Sequence, residues 1–209
     1  LVLTFEFWEH LSITIFRSMA ALTITVMLSL VTGIAAGRAR RIMELISPLV
    51  AFLQAMPPIL WVTLVMVWAG TGNAVPVLVV VASLFPPMFQ SIAMASADLD
   101  SRLFMMAKLY RVNPVRILKD LILPGIFPHF LAGFSFALGS SLKVAAVAEF
   151  LGADQGIGAR IYWAYRMMEM DVLFAWALVL VGLGVGIDLG VIRPMRSIAI
   201  STNRPDGGN

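Results

Sequence analysis

DLDSRLFMMAKLYRVNPVRILKDLILP, Asp98 to Pro124, is a polar and basic interruption between strongly apolar segments, and its reading decides the fold. Asp98 and Asp100 stand where a helix N-terminus favours negative charge. Leu99, Leu103, Met106 and Tyr110 follow at helical spacing, while Phe104, Met105 and Leu109 fall on the remaining faces. A short helix that is apolar nearly all round, set among charges, needs a partner to cover it. Arg111-Val112 reads as a turn. Asn113 then caps a second helix and Pro114 suits its first turn, which carries Arg116 and Lys119 into Leu121-Ile122-Leu123-Pro124.

Outward from this stretch the chain reads as membrane. Of its 209 residues 60% are hydrophobic and 13% charged, about half the charged share of a soluble domain. Five apolar segments qualify as spans: Ser18–Ala36, Leu45–Ala69, Val75–Ala95, Gly125–Phe150 and Val172–Ile192. Pro57-Pro58 interrupts the second, either as a packing kink or as a break along a water-lined route, and Pro86-Pro87 predicts a second break in the third. Leu1 to His10, aromatic and acidic, reads as an interfacial elbow. Leu151 to Met170 reads as a loop. Residues 195–209 form a polar tail whose composition predicts disorder.

The cations give the orientation. Arg38, Arg40, Arg41, Arg102, Lys108, Arg111, Arg116, Lys119, Arg193, Arg196 and Arg204 fall on one side of a five-span chain, against Arg160, Arg166 and the nearby Arg17 on the other. This bias places the 98–124 loop and the C-terminus in the cytoplasm. No basic stripe with interleaved aromatics marks a nucleic-acid partner. Cysteine is absent, and His10 and His129 stand far apart, so no metal or catalytic constellation is expected. No G-x-x-x-x-G-K-[ST] loop is present, so this chain is not itself an ATPase.

The 98–124 stretch resembles the cytoplasmic coupling loop of ABC importer permeases, whose pattern is E-A-A, three residues, G, nine residues and I-x-L-P. Ala107 matches the second alanine, and Leu121, Leu123 and Pro124 match the closing motif with Leu for Ile. Met105 stands in place of the family's Glu and Arg111 in place of its Gly. Gln54–Gly72 and Val144–Ile161 are similar to the nitrate/taurine/sulfonate branch of these permeases, and the resemblance covers about Leu11 to Pro194.

The resemblance implies an all-α integral membrane protein with the type I ABC importer permease (MetI-like) fold: five transmembrane helices and a coupling helix in a single domain. It implies docking of an ATPase at Leu103, Met105, Met106, Ala107, Tyr110, Arg111, Leu123 and Pro124. The expected partners are two cytoplasmic ABC ATPases carrying ATP and Mg²⁺, a second permease (the same chain or a paralogue), an extracytoplasmic solute-binding protein and the prokaryotic inner membrane. This chain is expected to bind no cofactor. Permeases of this branch usually carry one more span ahead of Leu1. A left-handed Arg111 would cost on the order of 1–2 kcal/mol relative to Gly, and a degenerate loop also fits a non-translocating partner in a heteromeric transporter. A secondary carrier is disfavoured by the lack of paired intramembrane carboxylates.

Four polar residues are candidates for the translocation path. Lys143, a cation inside an apolar span, either lines the route and favours an anionic solute or snorkels to the outer interface. Glu149 matches an A-E pair of the family and reads more readily as a turn anchor than as a solute ligand. Gln54 and Ser83 either line the path or bond a neighbouring helix.

Overall fold

The computed structural model describes residues 5–195, and within them the chain is helical with no strand. The polar tail beyond Met195 and residues 1–4 of the expected elbow lie outside the described residues. The helices are α1 (Phe5–Arg38), α2 (Arg40–Ala55), α3 (Pro58–Ala69), α4 (Ala74–Ala97), α5 (Ser101–Leu109), α6 (Pro114–Ile117), α7 (Leu123–Gly152), α8 (Ile157–Arg166) and α9 (Met170–Ile187). Two π-helical turns, Leu118–Ile122 and Asp188–Ile192, extend α6 into α7 and α9 onward. Four helical stretches are long and apolar enough to cross a bilayer, and α2 with α3 forms a fifth, bent by 102°.

The core is built on α4, packed between α1 and α7. The inward stripe of α1 is small and polar: Thr14, Ser18, Ala21, Thr25, Ser29, Gly33 and Ala36 recur every three or four residues and are buried. Small side chains let two backbones approach closely, which substitutes for the hydrophobic drive that lipid does not supply. At Gly33 a Cβ would sit 2.9 Å from Ile92, and at Gly37 it would collide with the Ala93 carbonyl. The hydroxyl of Ser96 donates to the Ile34 carbonyl across the same seam (3.3 Å).

Four expectations change. Phe5–His10 is not a separate elbow but the start of α1, because Phe7 is buried and stacks on Trp176 of α9 at 5.4 Å. Pro86-Pro87 does not break the third span: α4 runs through both prolines, held on either side by α1 and α7. The fourth span begins earlier than Gly125, since residues 114–152 form one 39-residue helical stretch through the π turn and Pro124. The 151–170 segment contains α8, which the glycines at 152, 156 and 158 disguised. At Pro57-Pro58 the interruption is real. Pro57 has no N–H for the Leu53 carbonyl four residues back, and the Trp61 indole N–H reaches that oxygen instead (3.5 Å).

Candidate functional site

At one end of the bundle α5 touches the core through Phe104 and leaves most of its other side chains uncovered. Asp100 caps it by accepting from the Arg102 N–H (2.8 Å), and Asn113 caps α6 by accepting from the Val115 N–H (2.9 Å). Within this chain no residue of α5 is buried: Leu103, Met105, Met106, Leu109 and Tyr110 are all exposed large apolar side chains, the last two about 80% so. Ala107 is half-buried, and Leu123 is exposed where α7 starts. α5 is held to the bundle through Phe104, half-buried against the core, and through Leu99 just ahead of the helix. The Arg38 guanidinium sits over the Phe104 ring at 3.5 Å, and Leu99 packs against Gly125.

The turn after α5 is a Schellman motif. The Val112 N–H bonds the Ala107 carbonyl (2.9 Å) and the Arg111 N–H bonds the Lys108 carbonyl (3.1 Å), with Arg111 at φ +51°. That position favours glycine, and a side chain there is strained. Arg111→Gly is therefore expected to relieve up to about 1 kcal/mol after glycine's greater unfolded-state entropy is deducted. Hydrogen exchange of the Val112 amide checks it: exchange slows up to about fivefold if the strain is real, and equal or faster exchange shows the loop tolerates arginine at no cost.

At the opposite end lies a buried polar cluster that sequence reading treated as isolated residues. Arg17 is 4% exposed and Glu149 0%. The Arg17 guanidinium bonds Glu149 Oε1 (2.9 Å), the Gln155 carbonyl (2.6 Å) and Asn73 Oδ1. Glu149 Oε2 accepts from the Thr14 hydroxyl (2.8 Å) and the Gly158 N–H (3.2 Å), and Thr14 Oγ1 in turn accepts from the Ile157 N–H (2.8 Å). A bond from the Gly72 N–H to the Gly152 carbonyl (2.9 Å) closes the same end. The Glu149 carboxylate thus fastens α7 to α1 and the start of α8, and Arg17 extends the cluster to Asn73 in the 70–73 turn. Gly156, at φ +111°, and Gly158 leave the space: a Cβ on the first would overlap the Glu149 carboxylate, and on the second the Ala146 carbonyl.

The other path candidates do not gather into one site. Lys143 projects from α7 into a cavity of about 570 Å³ against α9. Gln54 lies in a separate depression between α2 and α4, where its Oε1 accepts from Gln90 Nε2 (3.3 Å). The Ser83 hydroxyl is buried on α4 with no partner among the described residues. Arg17 and Thr14 are the residues missed. Their signal was a lone cation in the apolar run of the first span, matched by a lone anion at the end of the fourth.

Comparison with known proteins gives the same architecture. The chain is 25% identical over 184 residues to the taurine transport system permease protein TauC of Escherichia coli (strain K12), covering 88% of this chain and 67% of that protein. It is 26% identical over 184 residues to the putative aliphatic sulfonates transport permease protein SsuC of Bacillus subtilis (strain 168), with the same coverage. Its fold matches a chain of the MetNI methionine ABC transporter in an inward facing conformation, with a TM-score of 0.69 at 14% identity, covering 95% of each chain. The family model for the binding-protein-dependent transport system inner membrane component matches residues 12–191. An all-helical bundle, a short helix that buries none of its residues and a family match over most of its length coincide in one chain, which belongs to the binding-protein-dependent transport system inner membrane components, the permease subunits of ABC importers.

Proposed function

We propose that this permease carries a small organic anion of the sulfonate class into the cytoplasm, with α5 as the helix that receives a cytoplasmic ABC ATPase. The observation that carries the docking assignment is α5 itself: nine helical residues with none buried, apolar on several faces and held to the core chiefly through Phe104. Such a surface is stable in water only when a partner covers it. Leu103, Met105, Met106 and Tyr110 supply the contact, Ala107 and Arg111 set the turn, and Leu123 with Pro124 joins it to α7. The charge bias of the sequence puts this end, and the C-terminus, in the cytoplasm.

The transporter is read as two such permeases, identical or paralogous, with two ATPases and an extracytoplasmic solute-binding protein. ATP and Mg²⁺ belong to the ATPases. Five spans enclose too little for a whole route, so a second permease supplies the other half. The solute class is supported by the taurine and aliphatic-sulfonate relatives and by the unpaired cation Lys143. Glu149, saturated by Arg17, Thr14 and Gly158, serves the outer closure rather than the solute.

Uptake of radiolabelled taurine into proteoliposomes holding the complete transporter and its binding protein tests the solute class. ATP-dependent uptake that excess ethanesulfonate suppresses and excess methionine leaves unchanged is the expected result. An intact, ATP-hydrolysing complex that ignores sulfonates altogether would refute the solute class.

A further inference from the structure

The cavity between α7 and α9 has a charge composition that apolar helix packing does not require. Its walls are largely aliphatic, including Leu142, Leu180 and Val181, yet three ionisable side chains reach it: Lys143, Asp188 and Arg193. Arg193 Nε bonds Asp188 Oδ2 at 3.2 Å, so these two partly exposed charges form an ion pair. Lys143 has no hydrogen bond or ion pair among the described residues. Two cations and one anion leave one positive charge without a counter-ion.

Lys143 is exposed on the open side of this cavity within the single chain. Gly139 packs against Ile192, which fixes the level of the two antiparallel helices. One turn outward from that contact lie Lys143 on α7 and Asp188 at the start of the π turn that continues α9, both on the wall of the same cavity. Lys143 stands nine residues before the end of α7 at Gly152, about 13 Å along the helix and inside the apolar span. An ionisable group within a membrane span is stable facing protein or water rather than lipid. The complement to an apolar cavity with one unpaired cation is a single oxyanion.

We propose that the Lys143–Asp188–Arg193 cavity is an anion-selecting station on the translocation route, with Lys143 the residue that contacts a sulfonate- or carboxylate-type headgroup. This rests on the importer reading for its place on a route, but not on the identity of the solute. The same oxyanion chemistry is offered by a lipid phosphate, and the test separates the two.

The chain has no cysteine, so Val181→Cys places its one thiol on the cavity wall. In the complete transporter reconstituted in nanodiscs, this thiol is treated with anionic 2-sulfonatoethyl methanethiosulfonate or cationic 2-(trimethylammonium)ethyl methanethiosulfonate. Modification is followed by the mass of this chain, and rates are corrected for each reagent's reactivity with a free thiol. The anionic reagent is expected to react about tenfold faster, as one nearby unscreened charge predicts. Lys143→Gln is expected to remove that preference and Lys143→Arg to keep it. The preference should be the same in phosphatidylcholine and phosphatidylglycerol discs. Loss of the preference in phosphatidylglycerol would assign the site to lipid phosphate and overturn the proposal. So would lack of reaction with either reagent, or an unchanged preference in Lys143→Gln. If that variant does not assemble, the Lys143-intact protein still decides, since equal rates at low salt overturn the proposal alone. Failure of taurine uptake with the reagent preference intact would sink the sulfonate reading and leave this station standing.

Discussion

Aspartate at both Leu103 and Met106 is expected to strip the ATPase from the complex while leaving the permease folded. Neither side chain is buried within the chain, so their replacement opens no internal cavity. At an interface the balance reverses. Each lost apolar side chain forfeits on the order of 1.5–3 kcal/mol of burial, and each carboxylate brought into an apolar groove adds a desolvation cost of similar size or more. Together the two substitutions should weaken association by at least about a thousandfold, since about 4 kcal/mol corresponds to that factor. Copurification of the ATPase and ATP turnover in nanodiscs should both vanish, while the permease keeps its elution volume and thermal midpoint. An ATPase that copurifies equally with the variant would remove α5 from the coupling role.

The second large effect lies at the other end of the molecule. Glu149→Ala leaves the Arg17 guanidinium buried without its carboxylate, and deprives the Thr14 hydroxyl and the Gly158 N–H of their acceptor. Breaking one side of a buried ion pair costs about 3–5 kcal/mol, most of it the stranded charge. Removing both charges while keeping volume, as Arg17→Met with Glu149→Gln, should recover a substantial part of that loss. Fluorescence-detected size-exclusion after heating is the measurement. A single variant as heat-stable as the parent would mean that Arg17 and Glu149 are not paired in the folded protein. A double variant worse than either single would contradict the stranded-charge explanation.

The parts legible in the sequence are those governed by local chemistry. Span positions follow from runs of apolar residues between charges. The short apolar helix α5 follows from Leu103, Phe104, Met105, Met106 and Leu109 crowding every face of a segment bounded by Asp98 and Lys119. The helix start at Asp100 and the cap at Asn113 were readable because such signals are set by near neighbours, whereas the left-handed Arg111 was suggested by the glycine that the resembled family has there. What was not legible depends on partners far along the chain. Arg17 and Glu149 are separated by 132 positions, and nothing in one sequence fixes the register of α1 against α7. Pro86-Pro87 looked like a break because the packing of α1 and α7 around α4 is not written near the prolines. α8 was hidden for a related reason: Gly156 and Gly158, which usually signal a loop, are there to admit the Glu149 carboxylate and the Ala146 carbonyl. Lys143 was conspicuous as a charge, but its shared cavity with Asp188 and Arg193 emerges only once Gly139 is seen against Ile192.

The central claim, that α5 is seated in an ATPase, is tested most directly by a photocrosslinker at Tyr110. This side chain is 79% exposed and follows directly on α5. p-Benzoylphenylalanine at position 110 is activated in membranes that coexpress the ATPase, with the same probe at Phe174 on the exposed surface of α9 as the control. The predicted result is a covalent adduct of this chain with the ATPase from position 110 and none from position 174. Adducts to lipid alone from position 110, or ATPase adducts from both positions alike, would contradict it.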